Sequence, residues 1–180
     1  MKKRLLVAII ISVLALSVFG CSNSGSSAAS SAANSNLDPE YVEAYEFLQE
    51  FLASDTYAEI TEVVNAGVTE LTKGLEDMNA NDLNKYHARL EELILEIPLD
   101  GTTPEKAVDF MNSYYWWAVS ESDALGNVVI ALSYLDQNNE DKASEYIQLA
   151  NANLERGLEM NDAANAAAEE LVAKGSEESV

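Results

Sequence analysis

The chain contains few of the residues that build disulfides and metal sites. Its 180 residues include one cysteine, Cys21, and one histidine, His87. A single thiol cannot form a disulfide within the chain, and one thiol with one imidazole falls short of a structural zinc site. The Glu-x-x-His pairs of helical di-iron proteins are also missing, because the residue three before His87 is Asn84. We therefore expect no metal and no cofactor.

Motifs of common catalytic and phosphate-binding sites are missing as well. The sequence has no Gly-x-Ser-x-Gly elbow, no glycine-rich phosphate loop and no Asp-x-Asp-x-Asp-Gly calcium loop. Ser–His–Asp catalysis would depend on His87, and nothing in the sequence presents a nucleophile to it. We interpret His87 as a half-buried packing residue. We predict that the protein is not an enzyme, and a catalytic role is the least favoured alternative.

Basic residues are scarce, with 10 lysines and arginines against 31 acidic residues. Three of the basic residues stand at positions 2–4, so seven basic and all 31 acidic residues follow Cys21, and that part carries a net charge of −24. Such a charge repels nucleic acid and anionic lipid headgroups. We predict no nucleic-acid partner. The acidity suits solubility at a crowded surface and attracts cationic partners or divalent ions only diffusely.

A long apolar run lies at the N-terminus. After Lys2, Lys3 and Arg4 come the 15 residues LLVAIIISVLALSVF, a length that is short for a membrane span and typical of a secretory signal. The end of this run, with the two residues after it, gives Val18-Phe19-Gly20-Cys21, which resembles the lipobox of bacterial lipoproteins. In that motif the small residue before the cysteine permits cleavage and the thiol accepts diacylglycerol. An ordinary signal peptide, or an uncleaved anchor with an incidental cysteine, is the alternative.

The lipobox resemblance implies a domain organisation and a location. It implies a signal peptide at 1–20 and a lipid anchor on Cys21, at the outer face of the cell membrane or at an outer membrane where the cell has two. Residues 21–37 are almost all small or polar and predict a flexible tether with a span of about 20–25 Å. The folded domain is expected at 38–174, and 175–180 read as a disordered tail.

Residues 38–174 show helix signals and no strand signals. Asp38-Pro39 resembles an N-cap followed by a first-turn proline, and Thr56-x-x-Glu59 a capping box. Asn79–Asp82 form another cap cluster, and two long apolar patterns, at 104–137 and 140–173, flank Asn138-Asn139. The pattern predicts an all-α antiparallel bundle of four to five helices, with a long C-terminal helical hairpin.

A second fold is suggested by a shorter stretch. Residues 130–152 place small, aromatic and alanine residues as a tetratricopeptide repeat does, and so resemble one such hairpin: Ala131, Tyr134, Ala143, Ile147 and Ala150. The resemblance implies helices of roughly a dozen residues stacked as repeats. A tetratricopeptide-like helical repeat is therefore the alternative to the bundle.

Four aromatic residues in a row, 114–117, mark the middle of the predicted long helix. On one continuous helix Tyr114 and Trp117 face the apolar seam, Tyr115 lies at its border and Trp116 points nearly away from it. We predict that Trp116, with Tyr115 and Val119, forms a binding surface for a protein, a glycan or the lipid interface. The alternative is that the 39–53 helix or the tether covers Trp116.

Glu121 occupies the centre of the apolar seam, where an unpaired carboxylate is costly. If the hairpin folds about residues 138–139, Glu121 lies opposite Arg156 and a buried ion pair explains it. Alternatively, the helix breaks here with Ser120-x-x-Asp123 as a cap, or Glu121 belongs to a ligand site.

The expected function is a lipid-anchored, non-catalytic interaction or accessory module that engages an envelope protein or glycan. The alternatives are a lipoprotein that binds a small molecule or cation near Glu121 and, least favoured, an envelope enzyme.

Overall fold

The computed structural model describes residues 37–75, 77–99 and 101–176. The signal segment 1–20, Cys21 and the tether up to residue 36 lie outside the described residues, as do positions 177–180. The described ranges contain five α-helices and a short 3-10 turn, and no strand: α1 Pro39–Leu52, α2 Asp55–Leu71, α3 Ala80–Ile94, the turn Glu105–Ala107, α4 Val108–Asp136 and α5 Glu140–Gly175. The predicted all-α bundle with a long C-terminal hairpin is confirmed.

Side-chain caps determine where the first three helices begin. Asp38 accepts the Glu40 N–H at 3.0 Å, and Asn79 accepts the Asn81 N–H at 3.0 Å, as the sequence predicts for α1 and α3. The predicted Thr56 cap is wrong. Ser54 Oγ accepts the Tyr57 N–H at 3.2 Å and begins α2. Thr56 already lies inside the first turn of α2, and its hydroxyl donates to the Glu96 carboxylate of the loop after α3.

The turn between α2 and α3 is closed by a buried carboxylate. Glu70 is 5 % exposed, accepts the Asn79 N–H at 2.7 Å and pairs with Lys73. These contacts hold the pKa of Glu70 below its usual range, with the Lys73 ammonium as the largest cause. The apolar pattern of the sequence continues to Met78, but α2 ends at Leu71 because Glu70 turns the chain back toward the start of α3.

Helices α4 and α5 form the longest interface of the bundle. They contain 29 and 36 residues, so they extend about 43 and 54 Å. Asn138 joins them with a φ of +57°, a conformation that asparagine tolerates better than most residues. Helices of this length are far longer than those of a tetratricopeptide repeat, and the structure has the bundle architecture rather than that alternative. Around the hairpin, α3 packs on α4, α2 on α3, and α1 on α5.

The end of α5 differs from the expected disordered tail. The helix runs through Gly175, and Ser176 is buried at 7 % exposure. A side chain on Gly175 would overlap the Tyr41 carbonyl and the Tyr45 side chain of α1. Gly175 is expected in the tail, but its missing side chain lets the last turn of α5 pack directly on α1.

The core follows the interior faces of all five helices. Its fully buried large side chains are mostly aliphatic, and Trp117 is the bulkiest of them: Leu48, Ile60, Leu71, Leu83, Leu90, Leu93, Met111, Trp117, Leu125, Ile147 and Leu171. Within the described part of the chain, no helix has the length and apolarity that crossing a membrane requires.

Candidate functional site

Two of the four consecutive aromatic residues belong to the core, as predicted. Tyr114 and Trp117 are 2 % and 1 % exposed. The Tyr114 ring lies 5.1 Å from Trp117, 5.1 Å from Phe51 of α1 and 5.6 Å from Tyr57 of α2, measured between ring centroids. This aromatic cluster joins α1, α2 and α4. Edge-on and tilted contacts between rings add to the stability that burial of their apolar area already gives the bundle.

Trp116 points the other way and remains 42 % exposed. Its ring contacts Tyr115 edge-on at 5.3 Å, and the Arg156 guanidinium of α5 lies over it, 4.8 Å from the centroid. The predicted outward position is confirmed, and helix α1 does not bury the indole. We call the surface formed by Tyr115, Trp116, Val119 and Arg156 the Trp116 face.

The same side of the hairpin carries two further exposed apolar residues. Ile130 and Leu149 are 40 % and 47 % exposed. Ile130 lies two heptads after Trp116 on α4, and Leu149 lies one heptad before Arg156 on α5. Residues seven apart lie on nearly the same side of a helix, so Ile130 lies on the side of Trp116 and Leu149 on the side of Arg156. Our sequence reasoning missed this pair; apolar residues repeating at heptad spacing away from the seam were the available signal.

Glu121 is buried at 2 % exposure in the interface between α4 and α5. Helix α4 is continuous through it, so the predicted break at Ser120-x-x-Asp123 is wrong. The carboxyl packs on the bare backbone of α5, since a Cβ on Gly157 would lie 3.0 Å from Glu121 Oε1. Burial raises the pKa of Glu121 to about 7, and the nearby Trp117 indole lowers it to a smaller extent.

The structure does not pair Glu121 with Arg156. Among the described residues Glu121 Oε1 has no hydrogen-bond partner, and the Arg156 guanidinium lies over Trp116. The hairpin register explains this, because Gly157 rather than Arg156 faces Glu121. An error of one residue in the register turns the opposing side chain by about 100° around the helix axis.

Glu121 belongs to a row of buried polar atoms on α4 that lack hydrogen-bond partners in the described part of the protein: Tyr114 Oη, Trp117 Nε1, Ser120 Oγ and Glu121 Oε1. Trp117 Nε1 is near Glu121 but does not form a hydrogen bond of standard geometry with it. Unsatisfied buried polar groups are few in native proteins, and each one calls for an explanation. This row is therefore the second candidate site, beside the Trp116 face.

His87 is a half-buried packing residue, as the sequence suggests, but it has a neighbour that we did not expect. Its Nδ1 lies 2.9 Å from Ser122 Oγ of α4, and its Nε2 lies 3.8 Å from a Glu91 oxygen. The imidazole also covers Gly126, where a Cβ would lie 3.1 Å from its Cε1. Ser122 is 3 % exposed and lies within a continuous helix, whose backbone N–H groups are engaged in helical hydrogen bonds.

Two surface cavities lie away from Glu121. One of about 380 Å³ is lined by residues of α1, α4 and α5 around Tyr41, Lys106 and Glu170. The other, of about 260 Å³, lies between the end of α1, the start of α2 and the loop after α3, beside Phe51 and Glu96. Within the described ranges, no group of three or more histidine, cysteine or acidic residues is arranged to hold a metal ion.

Comparison with known proteins identified no relative: no protein-family model, no curated protein and no solved structure matches the chain significantly.

Proposed function

We propose that the protein is a lipid-anchored, non-catalytic interaction module of the bacterial cell envelope, and that it binds an envelope protein through the Trp116 face. The observation that carries the proposal is the exposed Trp116 ring with the Arg156 guanidinium stacked on it. The lipobox resemblance around Cys21 and the polar tether support the anchoring and the location.

Tryptophan and arginine are the residues that most often dominate the energy of protein interfaces. In this structure the Trp116 ring already contacts the Arg156 guanidinium and the Tyr115 ring, so binding would immobilise few additional side chains. Asp109, Asn112 and Asp123 are exposed on the same helix and give the site a polar, acidic rim. This arrangement fits a protein partner that offers an apolar pocket bordered by basic residues.

The position of the Trp116 face also favours an envelope partner. The start of α1, where the tether joins, packs against the end of α5 and lies near Lys106 at the start of α4. Trp116 is eight residues into α4, about 12 Å from that end. With a tether of about 20–25 Å, the face would remain within a few tens of ångströms of the membrane.

Photo-crosslinking in living cells tests this proposal. A photoreactive amino acid at Val119 should give a discrete adduct with one envelope protein, and Trp116→Ala or Arg156→Gln should abolish it. Leu95, directly after the end of α3, is 85 % exposed and supplies the matched control. The same probe at Leu95 should give no such adduct, and Leu95→Ala should leave the Val119 adduct intact. An adduct that persists in Trp116→Ala contradicts the proposal, and loss on digestion of cell-wall glycan indicates a glycan partner instead.

A second candidate function is supported by the buried row of polar atoms on α4. Glu121 Oε1 lies without a partner against Gly157, with Ser120 beside it, and this favours a lipoprotein that binds a small molecule or cation between α4 and α5. Neither of the two cavities described above is lined by Glu121, which ranks this function second. Thermal unfolding with and without a panel of small amines and cations tests it: stabilisation that disappears in Glu121→Gln supports this candidate, and no stabilisation by any of them removes it.

A further inference from the structure

Arg156 is the one basic side chain in the described ranges that is not ion-paired. Those ranges contain seven lysines and arginines, and the other six each lie within 4.0 Å of a carboxylate: Lys73, Lys85, Arg89, Lys106, Lys142 and Lys174. The Arg156 guanidinium instead stacks on Trp116. The domain has a large excess of acidic residues, so Arg156 can still form an ion pair with a carboxylate.

Glu121 carries the buried carboxyl of the facing helix, whereas Glu155 and Glu159, beside Arg156 on α5, are exposed. Arg156 immediately precedes Gly157, whose backbone contacts the Glu121 carboxyl. The unpaired cation and the buried carboxyl, whose Oε1 has no hydrogen-bond partner, therefore occupy adjoining positions across the α4–α5 interface. Because the arginine side chain is long and flexible, the Arg156 guanidinium can turn from one side of its position on α5 to the other.

We propose that the protonation of Glu121 controls the Trp116 face: neutral Glu121 leaves Arg156 on the Trp116 ring, and ionised Glu121 draws the guanidinium to itself and uncovers the ring. This inference concerns the regulation of the binding surface proposed above and depends on that proposed function for its biological meaning. The conformational change itself requires no partner.

Two physical terms decide the direction of the change. A neutral carboxyl costs far less to bury in an apolar interface than an ionised one, which needs a cation or water. A cation–π contact at an exposed ring is weak compared with a charge-assisted carboxylate–guanidinium pair in a partly buried site. Ionisation of Glu121 therefore shifts the preferred partner of Arg156 from Trp116 to Glu121. The Ser120 side chain also packs on Gly157, and its hydroxyl has no hydrogen-bond partner among the described residues.

Among the described residues, no charged group of α2 or α3 is placed to pair with an ionised Glu121. From α3, His87 hydrogen-bonds with Ser122, beside Glu121, and its second ring nitrogen faces Glu91. From α2, the one buried carboxylate is Glu70, which is held by Lys73. Neither helix contributes a charge that affects the pKa of Glu121, which is governed by burial and then by the Trp117 indole.

The remaining neighbours agree with this assignment. On α4 itself Asp123 is exposed, and Tyr114 is buried with its pKa raised far above its usual value by burial, so it stays neutral. In the 3-10 turn before α4, Lys106 pairs with Glu40 of α1. Arg156 is therefore the cation that ionised Glu121 would recruit.

Acrylamide quenching of tryptophan fluorescence tests the inference in the whole protein in detergent micelles. Trp117 is 1 % exposed, so the quenching reports mainly on Trp116. Between pH 5.5 and 8.5 the quenching constant of the wild type should rise on the order of twofold, because the guanidinium covers one of the two ring faces. In Glu121→Gln it should stay low at both pH values, and in Arg156→Gln it should be high at both. Circular dichroism at each pH verifies that every variant keeps its helices.

Carbon-13 NMR of the Glu121 carboxyl supplies a second readout that does not depend on the Gln variant. In Arg156→Gln the carboxyl should lose its proton at a higher pH than in the wild type, because its cation is gone. A wild-type quenching constant that does not change with pH, the same rise in Glu121→Gln, or a Glu121 titration unaffected by Arg156→Gln each overturns the inference. The crosslinking experiment at Val119 is independent of these results, so either proposal can fail alone.

Discussion

Replacing Glu121 with glutamine should make the protein more stable at alkaline pH and remove part of the pH dependence of its stability. Burial raises the pKa of Glu121 from 4.5 to about 7 in the folded state. A folded-state pKa above the unfolded value means that folding favours the bound proton. The contribution of Glu121 to stability is therefore fully present below pH 4.5, decreases as the pH rises and reaches its lowest level above about pH 7.

The size of the effect follows from the two pKa values. They differ by 2.5, and each pKa unit corresponds to about 1.4 kcal/mol, so ionisation of Glu121 costs on the order of 3 kcal/mol of unfolding free energy at high pH. Glutamine has nearly the same shape and remains neutral. The difference in unfolding free energy between Glu121→Gln and the wild type should therefore grow by about that amount from pH 4.5 to pH 8.

Urea unfolding monitored by circular dichroism at pH 4.5, 6, 7 and 8 measures this difference. Other carboxylates whose pKa is lowered by lysine or arginine partners, such as Glu59, Glu70 and Glu170, give the opposite pH slope. Their contributions cancel because they are the same in both proteins. A difference that does not change with pH, or one that grows toward low pH, would refute the assignment of Glu121 as a buried group that titrates near neutrality.

Three further predictions concern packing and capping. Trp117→Ala should lower the unfolding free energy by about 3–5 kcal/mol in urea, whereas Trp116→Ala should change it by about 1 kcal/mol at most, because only the first residue is buried; equal losses would contradict a free Trp116 face. Gly175→Ala should lower the melting temperature through about 1–3 kcal/mol of overpacking against the backbone of α1, and an unchanged melting temperature would show that α5 does not close on α1. Ser54→Ala should cost about 1 kcal/mol as the lost cap of α2, and Thr56→Ala clearly less; the reverse order in thermal unfolding would restore the sequence-predicted cap.

The regular elements could be predicted because their signals are local. Asp38-Pro39 and the asparagine at 79 are caps, and a cap requires only a side chain and the next two or three N–H groups. The apolar rows of α4 and α5 repeat at helical spacing, and they specify both helices and the side of α4 on which Trp117 lies. The start of α2 was predicted two residues too late. Ser54 and Thr56 both carry a hydroxyl that can cap a helix, and in the structure Ser54 is the cap while Thr56 contacts the loop after α3.

The candidate site was predicted only in part. Trp116, Tyr115 and Val119 could be identified because a helix has a fixed angular spacing, which places Trp116 away from the seam whatever packs against it. Arg156 could not be placed correctly, because its contacts depend on the register between two helices. The sequence predicts Arg156 as the ion-pair partner of Glu121, but the register differs by one residue. Gly157 therefore faces Glu121, and Arg156 stacks on Trp116.

By itself, the amino-acid sequence determines the all-α class, the approximate helix limits and the burial of Glu121 within an apolar seam, because each depends on periodicity and capping within one segment. Only the tertiary structure decides which residue of α5 meets Glu121, which side chain covers Trp116 and where α5 ends against α1. Those outcomes depend on how two helices approach each other, and a helix surface turns by about 100° with every residue. The fold therefore decides that Glu121 contacts the backbone of Gly157 and that Arg156 remains free of a carboxylate.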